Sequence, residues 1–219
     1  MTRPRSAVVL LAHADDESLG CGGTIAHLAA TGWDVQIVLL TDGLVTARGG
    51  EVLDNRASCA EACARLGVPP AILLGYPDQQ LERSTATDLS NAVFALELEP
   101  DLIITHSDAD LNADHRITAE VARIVGRPTA RPTSILACEV AADAFWNGRR
   151  FRADYFVDVA DTLDAKIEAY TCYEREVAIA PLARRADAIR ALAVHHGVQT
   201  GLRAAEAFEV VRAVAGFLP

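Results

Sequence analysis

The apolar positions of this chain change their period as they run along it. Short Val/Ile/Leu-rich stretches at 7–12, 35–40, 71–74, 102–105 and 134–140 lack polar alternation. They read as strands buried on both faces. Between them the spacing is helical, in segments beginning near Glu17, Glu51, Thr87 and Ala113. The second segment sets Val52, Cys59, Cys63 and Leu66 on one face and stops at Gly67, a residue suited to the position after a helix. The third aligns Leu89, Val93 and Leu96 ahead of Pro100, and the fourth aligns Ile117, Val121 and Ile124.

Such alternation predicts an α/β fold: a Rossmann-like, doubly wound, mainly parallel sheet with helices on both faces, in the simplest order 3-2-1-4-5. The polar–apolar alternation at 155–159 predicts a more exposed strand at one side, with helices following near 163–176, 182–196 and 202–215. Residues 127–132, with two prolines, are expected as an exposed loop. No repeat, low-complexity tract or linker interrupts the pattern, so residues 1–219 are expected to form a single domain.

That topology brings two polar clusters together. In a 3-2-1-4-5 order the loops after the first and fourth strands diverge and leave a crevice between them. The first loop carries His13, Asp15 and Asp16, and the segment after the fourth strand carries His106, Asp108, Asp110, Asn112, Asp114 and His115. Carboxylates so close repel unless a proton or a cation resolves the conflict, and a divalent metal is the simplest resolution. The plainer reading of His13-Ala14-Asp15-Asp16-Glu17 is a solvated loop capping the next helix. Convergence of the second cluster argues for the metal.

Composition narrows the setting. Apolar residues make up 51% of the chain, but no run is long enough to span a bilayer. The basic N-terminus lacks a signal-peptide cleavage pattern, so a cytoplasmic protein is expected. Thirty acidic against twenty basic residues give a net charge of −10, which disfavours nucleic acid and anionic membranes as partners. The five cysteines include no close CxxC pair and read as small core residues of a reduced protein. Gly20-Cys21-Gly22-Gly23 does not fit the dinucleotide fingerprint G-x-G-x-x-G; its glycines suit close packing on the sheet or approach to a substrate.

The chain resembles the LmbE-like N-acetylglucosaminyl deacetylases of the PIG-L superfamily. The resemblance rests on Ala12-His13-Ala14-Asp15-Asp16-Glu17, Thr41-Asp42-Gly43 and Asp110-Leu111-Asn112-Ala113-Asp114-His115-Arg116, and further along on His196-Gly197 and Ala205-Glu206-Ala207-Phe208-Glu209. It implies one Zn²⁺ held by His13, Asp16 and His115, with Asp15 as general base. It also implies a small-molecule N-acetylated substrate, namely an amino sugar or its conjugate, from which acetate is released. The chemistry of the residues agrees, since a catalytic zinc takes three nitrogen and oxygen ligands and leaves a position for water. Neighbouring carboxylates can divide between ligation and proton transfer.

The chain departs from the family's commonest pattern in two places: Ala14 stands where proline is usual, and Asn112-Ala113 where many members carry His-Pro. Asn112 cannot titrate, although its amide can donate to an oxyanion. His106, at the end of the fourth strand, is therefore expected to take the electrophilic role. Asp42, Arg48, Asn112 and His196 are candidates for substrate contacts, and Asp114 for orienting an imidazole ligand. Two other functions fit less of the pattern: a two-metal phosphoesterase using the extra carboxylates, and a catalytically silent metal-binding module, motivated by Asn112. Oligomeric state is left open.

Overall fold

The computed structural model describes residues 4–46, 50–128, 131–216 and 218–219. The first half runs β1 (Ser6–Leu11), α1 (Asp16–Ala30), β2 (Asp34–Thr41), β3 (Leu44–Thr46), β4 (Val52–Asp54), α2 (Arg56–Arg65), β5 (Ile72–Tyr76) and α3 (Ala86–Phe94). The second runs β6 (Leu102–His106), α4 (Ala113–Val125), β7 (Ser134–Cys138), α5 (Asp143–Trp146), β8 (Tyr155–Asp158), α6 (Leu163–Thr171), α7 (Glu174–Ile179), α8 (Ala186–Thr200) and β9 (Ala205–Arg212).

A seven-stranded sheet has the order β5-β2-β1-β6-β7-β9-β8, its first five strands parallel. The five apolar runs thus occupy the expected 3-2-1-4-5 order. Side chains of β1 alternate between two cores: Val9 and Leu11 pack with Ile25, Leu28, Tyr170 and Tyr173 on one face. Val8 and Leu10 pack with Leu89, Val93 and Val121 on the other. A strand buried on both faces needs no polar alternation, which is why these segments read as continuous apolar runs. Among the described residues no helix is long and apolar enough to cross a membrane.

Three expectations need correction. Residues 202–215, expected as a helix, instead contain strand β9, which lies antiparallel between β7 and β8. Ala and Glu favour helix locally, but the ladders to two neighbours and the burial of Phe208 override that preference. The helix expected from Glu51 starts at Arg56, because Val52–Asp54 pairs with β3 as a small hairpin. The segment expected as one helix at 163–176 is two, α6 and α7, separated at Cys172 and Tyr173.

Helix α1 carries a break at Cys21, whose φ of −144° is not helical. Glu206 of β9 heals it by accepting from the Gly23 and Thr24 amides, at 3.0 and 2.7 Å. Glycine is required on both sides of the break. A Cβ at Gly20 would come within 2.8 Å of the Cys138 sulfur, and one at Gly23 within 2.9 Å of Val159. The glycine cluster therefore serves close helix–sheet packing.

Candidate functional site

The site forms where the parallel sheet reverses its winding, at the C-terminal ends of β1 and β6. Leaving β1, the chain turns sharply, and Asp15 adopts φ 135° and ψ −25°. A non-glycine residue held in such a conformation costs about 1–3 kcal/mol and must be restrained by its surroundings. The restraint here is hydrogen bonding. The Asp15 amide donates to Glu17 Oε2 at 3.1 Å, and its carbonyl accepts from the Ser18 and Leu19 amides. Asp16 Oδ2 in turn accepts from the His13 amide at 2.8 Å.

This turn, with the start of α4, brings His13, Asp16 and His115 together. His13 Nδ1 lies 3.2 Å from His115 Nε2 and 3.3 Å from Asp16 Oδ2, and His115 Nε2 lies 3.3 Å from Asp16 Oδ1. The outward nitrogens face carboxylates. His13 Nε2 is 3.2 Å from Asp114 Oδ2 and 3.4 Å from Asp78 Oδ1. His115 Nδ1 is 3.0 Å from Asp110 Oδ2, an ion-pair contact rather than an aligned hydrogen bond. An imidazole whose outer nitrogen meets a carboxylate while the inner one points at a shared centre is the arrangement of a metal-ligating histidine. Two buried imidazole nitrogens and one carboxylate, all within 4.8 Å of one another, fit a divalent cation of the zinc type.

Electrostatics sharpen the division of labour. Burial disfavours charge on His13, but the Asp114 and Asp16 contacts outweigh it and bring the pKa to about 9. His115 is likewise raised well above the usual range, burial being overcome by Asp16 and Asp110. Burial would lift Asp16 too, yet the His115 and His106 rings beside it hold its carboxyl well below the usual range. Asp15 goes the other way: burial and the Asp16 charge push it up, and Arg184 only partly offsets them. Adjacent carboxyls are therefore separated into one that stays ionised and one that is more basic.

His13, Asp15, Asp16, Asn112 and His115 line one cleft of about 760 Å³. Asn112 caps α4, its Oδ1 accepting from the Asp114 amide at 2.9 Å, which leaves its Nδ2 as the donor it can offer the cleft. Asp114 also accepts from the Leu81 amide, so its carboxylate is fixed from two sides against His13.

Other expected residues lie elsewhere. His106 is fully buried and does not line the cleft; it stacks on His115, with centroids 3.8 Å apart and planes 6° from parallel. Its Nε2 accepts from the Ala12 amide at 3.0 Å, and burial together with His115 lowers its pKa to about 4. The ring lies behind the cluster, stacked on His115 and outside the space that the cleft residues enclose. His196 pairs with Glu139 at 2.7 Å and lines a separate small cavity. Asp42 makes a turn by accepting from the Leu44 amide and is absent from the cleft lining. Arg48 lies outside the described residues.

The cleft also contains residues not singled out from the sequence: Asp78 and Gln79 after β5, Asp143 and Trp146 of α5, and Arg184. Asp78 and Gln79 follow a parallel strand and were within reach of the same switch-point rule. Arg184, 2.8 Å from Asp143 and 3.7 Å from Asp15, arrives from 169 residues beyond Asp15 with no local signal.

Comparisons with known proteins bear on the family and the fold. A diacetylchitobiose deacetylase from Thermococcus kodakarensis is 26% identical over 91% of this chain and 80% of its own length. A 1D-myo-inositol 2-acetamido-2-deoxy-alpha-D-glucopyranoside deacetylase from a Mycobacterium species is 25% identical over 78% of this chain and 73% of its own. The fold is also that of the 4-carboxy-2-hydroxymuconate hydratase of Pseudomonas putida, with a TM-score of 0.72 and 22% identity over 96% of this chain and 98% of that one. That frame therefore serves more than one reaction. Residues 8–125, which include the whole His13–Asp16–His115 cluster, match the family model described as GlcNAc-PI de-N-acetylase, and the chain belongs to this PIG-L family.

Proposed function

We propose that the protein is a zinc-dependent N-deacetylase that releases acetate from an N-acetylated amino sugar or sugar conjugate. The observation that carries this reading is the meeting of His13 Nδ1, His115 Nε2 and Asp16 beside the more basic Asp15 on the floor of one cleft. Relatives named as deacetylases along most of the chain support it.

His13, Asp16 and His115 would hold the ion, which when bound supplies a Lewis acid for the amide carbonyl and for water. Asp15 takes a proton from the attacking water and returns it to the departing amine as the C–N bond breaks. The strained turn fixed by Glu17 aims that carboxylate, and Arg184 steadies it. Asn112 Nδ2 donates to the carbonyl oxygen as its negative charge grows, in place of a titrating group. His106 keeps the His115 ring in plane by stacking.

A second group with the geometry to hold a metal, Asp110, His115 and Asp143, gives the phosphoesterase reading its one specific observation. It shares His115, so two ions would sit on opposite sides of one imidazole ring. Two-metal phosphoryl chemistry needs ions about 3.5–4 Å apart, clamping shared oxygens. The deacetylase reading is the better fit.

Amine release from N-acetylglucosamine and its conjugates tests it, with zinc-loaded, chelated and Asp15→Asn proteins compared and bound metal counted in each. Release should require metal and fall by about 10²–10⁴ in Asp15→Asn, with one ion still bound. Two bound ions with phosphatase activity would overturn it, and one bound ion without any amide hydrolysis would leave the silent-module reading.

A further inference from the structure

The cleft is larger and differently lined than removal of acetate requires. Its volume of about 760 Å³ is that of a site for a drug-sized ligand, roughly 300–1,000 Å³. Besides the polar floor it is walled by Val45, Trp146, Ile179 and Pro181. Trp146 is 59% exposed and Ile179 68%. Large apolar side chains gathered at one opening, rather than scattered, mark a surface that something covers. Trp146, Ile179 and Pro181 come from α5 and from α7 with the segment after it, elements that also bring Asp143 and Glu176 to the same cleft.

Outside the His13–Asp16–His115 cluster and Asp15, the charge of the lining is one-sided: Glu51, Asp78, Asp143 and Glu176 all face the cleft. Arg184 is the one guanidinium among the described lining residues, and Asp143 and Asp15 already engage it. Glu51 is ion-paired with Arg175 and Glu176 accepts from Asn55, but neither arrangement offers a free cation to a ligand. A phosphate or carboxylate entering this space meets like charge with no bidentate partner.

Resting on the deacetylase reading, we propose that the substrate is an N-acetylated amino sugar whose aglycone is uncharged and apolar, seated on Trp146, Ile179 and Pro181. The acetyl group has two carbons and belongs at the His13–Asp16–His115 floor, so the apolar wall is left for the far side of the sugar. An aryl or alkyl face laid on an exposed indole removes apolar surface from water on both partners. The carboxylates around it select against anionic conjugates.

The test compares kcat and KM of the zinc-loaded enzyme on free N-acetylglucosamine, its phenyl and octyl glycosides, and its 1-phosphate. The glycosides should show KM about tenfold below the free sugar, and the phosphate the poorest kcat/KM, each tenfold corresponding to about 1.4 kcal/mol. Trp146→Ala should erase the gap between octyl glycoside and free sugar through KM. Glu176→Gln should improve use of the phosphate. Equal use of free sugar and glycosides overturns the proposal. So does preference for the phosphate over the glycosides, or a gain that follows N-acyl length instead of the aglycone. If no compound is hydrolysed, the deacetylase reading fails, and tryptophan fluorescence of the Asp15→Asn protein still decides the binding claim. Quenching by octyl glycoside but not by 1-phosphate, lost in Trp146→Phe, supports it; the reverse order refutes it.

Discussion

Tyr173 donates its hydroxyl to Glu17 Oε1 at 2.7 Å, joining the start of α7 to the turn that carries Asp15. Both residues are buried, and Glu17 Oε1 also accepts from Ser18 Oγ while Oε2 accepts from the Asp15 amide. Every contact of this carboxylate is therefore with a donor, and one of those donors belongs to the strained residue proposed as the base. Glu17→Leu leaves three buried donors without an acceptor, each costing about 1–3 kcal/mol. Unfolding in urea should show a loss of at least ~3 kcal/mol, and kcat should collapse with the turn. Glu17→Gln should keep most of both, since its oxygen can serve the Asp15 amide while the two hydroxyls rotate to accept. Equal damage by the two substitutions would show that the contact does not hold the turn.

Asp110 was visible in the sequence as part of the acidic segment, but its role was not. It sits beside His115 Nδ1, two residues before the Asn112 cap, and accepts from the Asn112 amide at 2.8 Å. Asp110→Asn removes the charge that orients and enriches the imidazole, which in metal sites lowers affinity about 10–100-fold. Competition with a chromophoric chelator should read that loss while circular dichroism stays unchanged. An unaltered affinity would show that His115 does not ligate.

Metal should also stabilise the fold, because the cluster joins the turn after β1 to the start of α4. A ligand present at 100 times its Kd adds about 2.7 kcal/mol. Thermal melts with zinc and with chelator should differ accordingly for the unaltered protein and hardly at all for His13→Ala. A shift surviving in His13→Ala would place the ion elsewhere.

The frame of this fold was legible because parallel strands buried on both faces leave unbroken apolar runs, and because the switch-point rule follows from strand order alone. The cluster was legible for the same reason: His13, Asp16 and His115 sit at two loop starts that the order makes neighbours. Sequence puts His106 at the end of the strand beside the site without saying which way its ring faces. It turns behind His115, where its Nε2 accepts from the Ala12 amide. His196 is taken by Glu139, 57 residues away, which no spacing rule announces, and Asp42 makes the contact to the amide two residues on that aspartates often make in turns. Trp146 and Arg184 reach the cleft through tertiary packing of the last third of the chain, where helical and strand signals were weakest.

Strand β9 shows what such a misreading conceals. Glu206, expected on a helix, is nearly inaccessible and accepts from Lys166 Nζ at 2.5 Å and from the Gly23 and Thr24 amides. It thereby caps the second half of the broken α1, whose first half carries Asp16. Glu206→Ala strands a buried ammonium and two buried amides together. Breaking a buried pair by removing one partner costs about 3–5 kcal/mol, and the lost cap should place this variant at the upper end. Lys166→Met should cost less, because the carboxylate keeps two amide donors at a helix start, where negative charge is favoured. Chemical denaturation of the two variants should therefore rank Glu206→Ala below Lys166→Met. The opposite ranking would mean that the ion pair, and not the cap, holds β9 against α1.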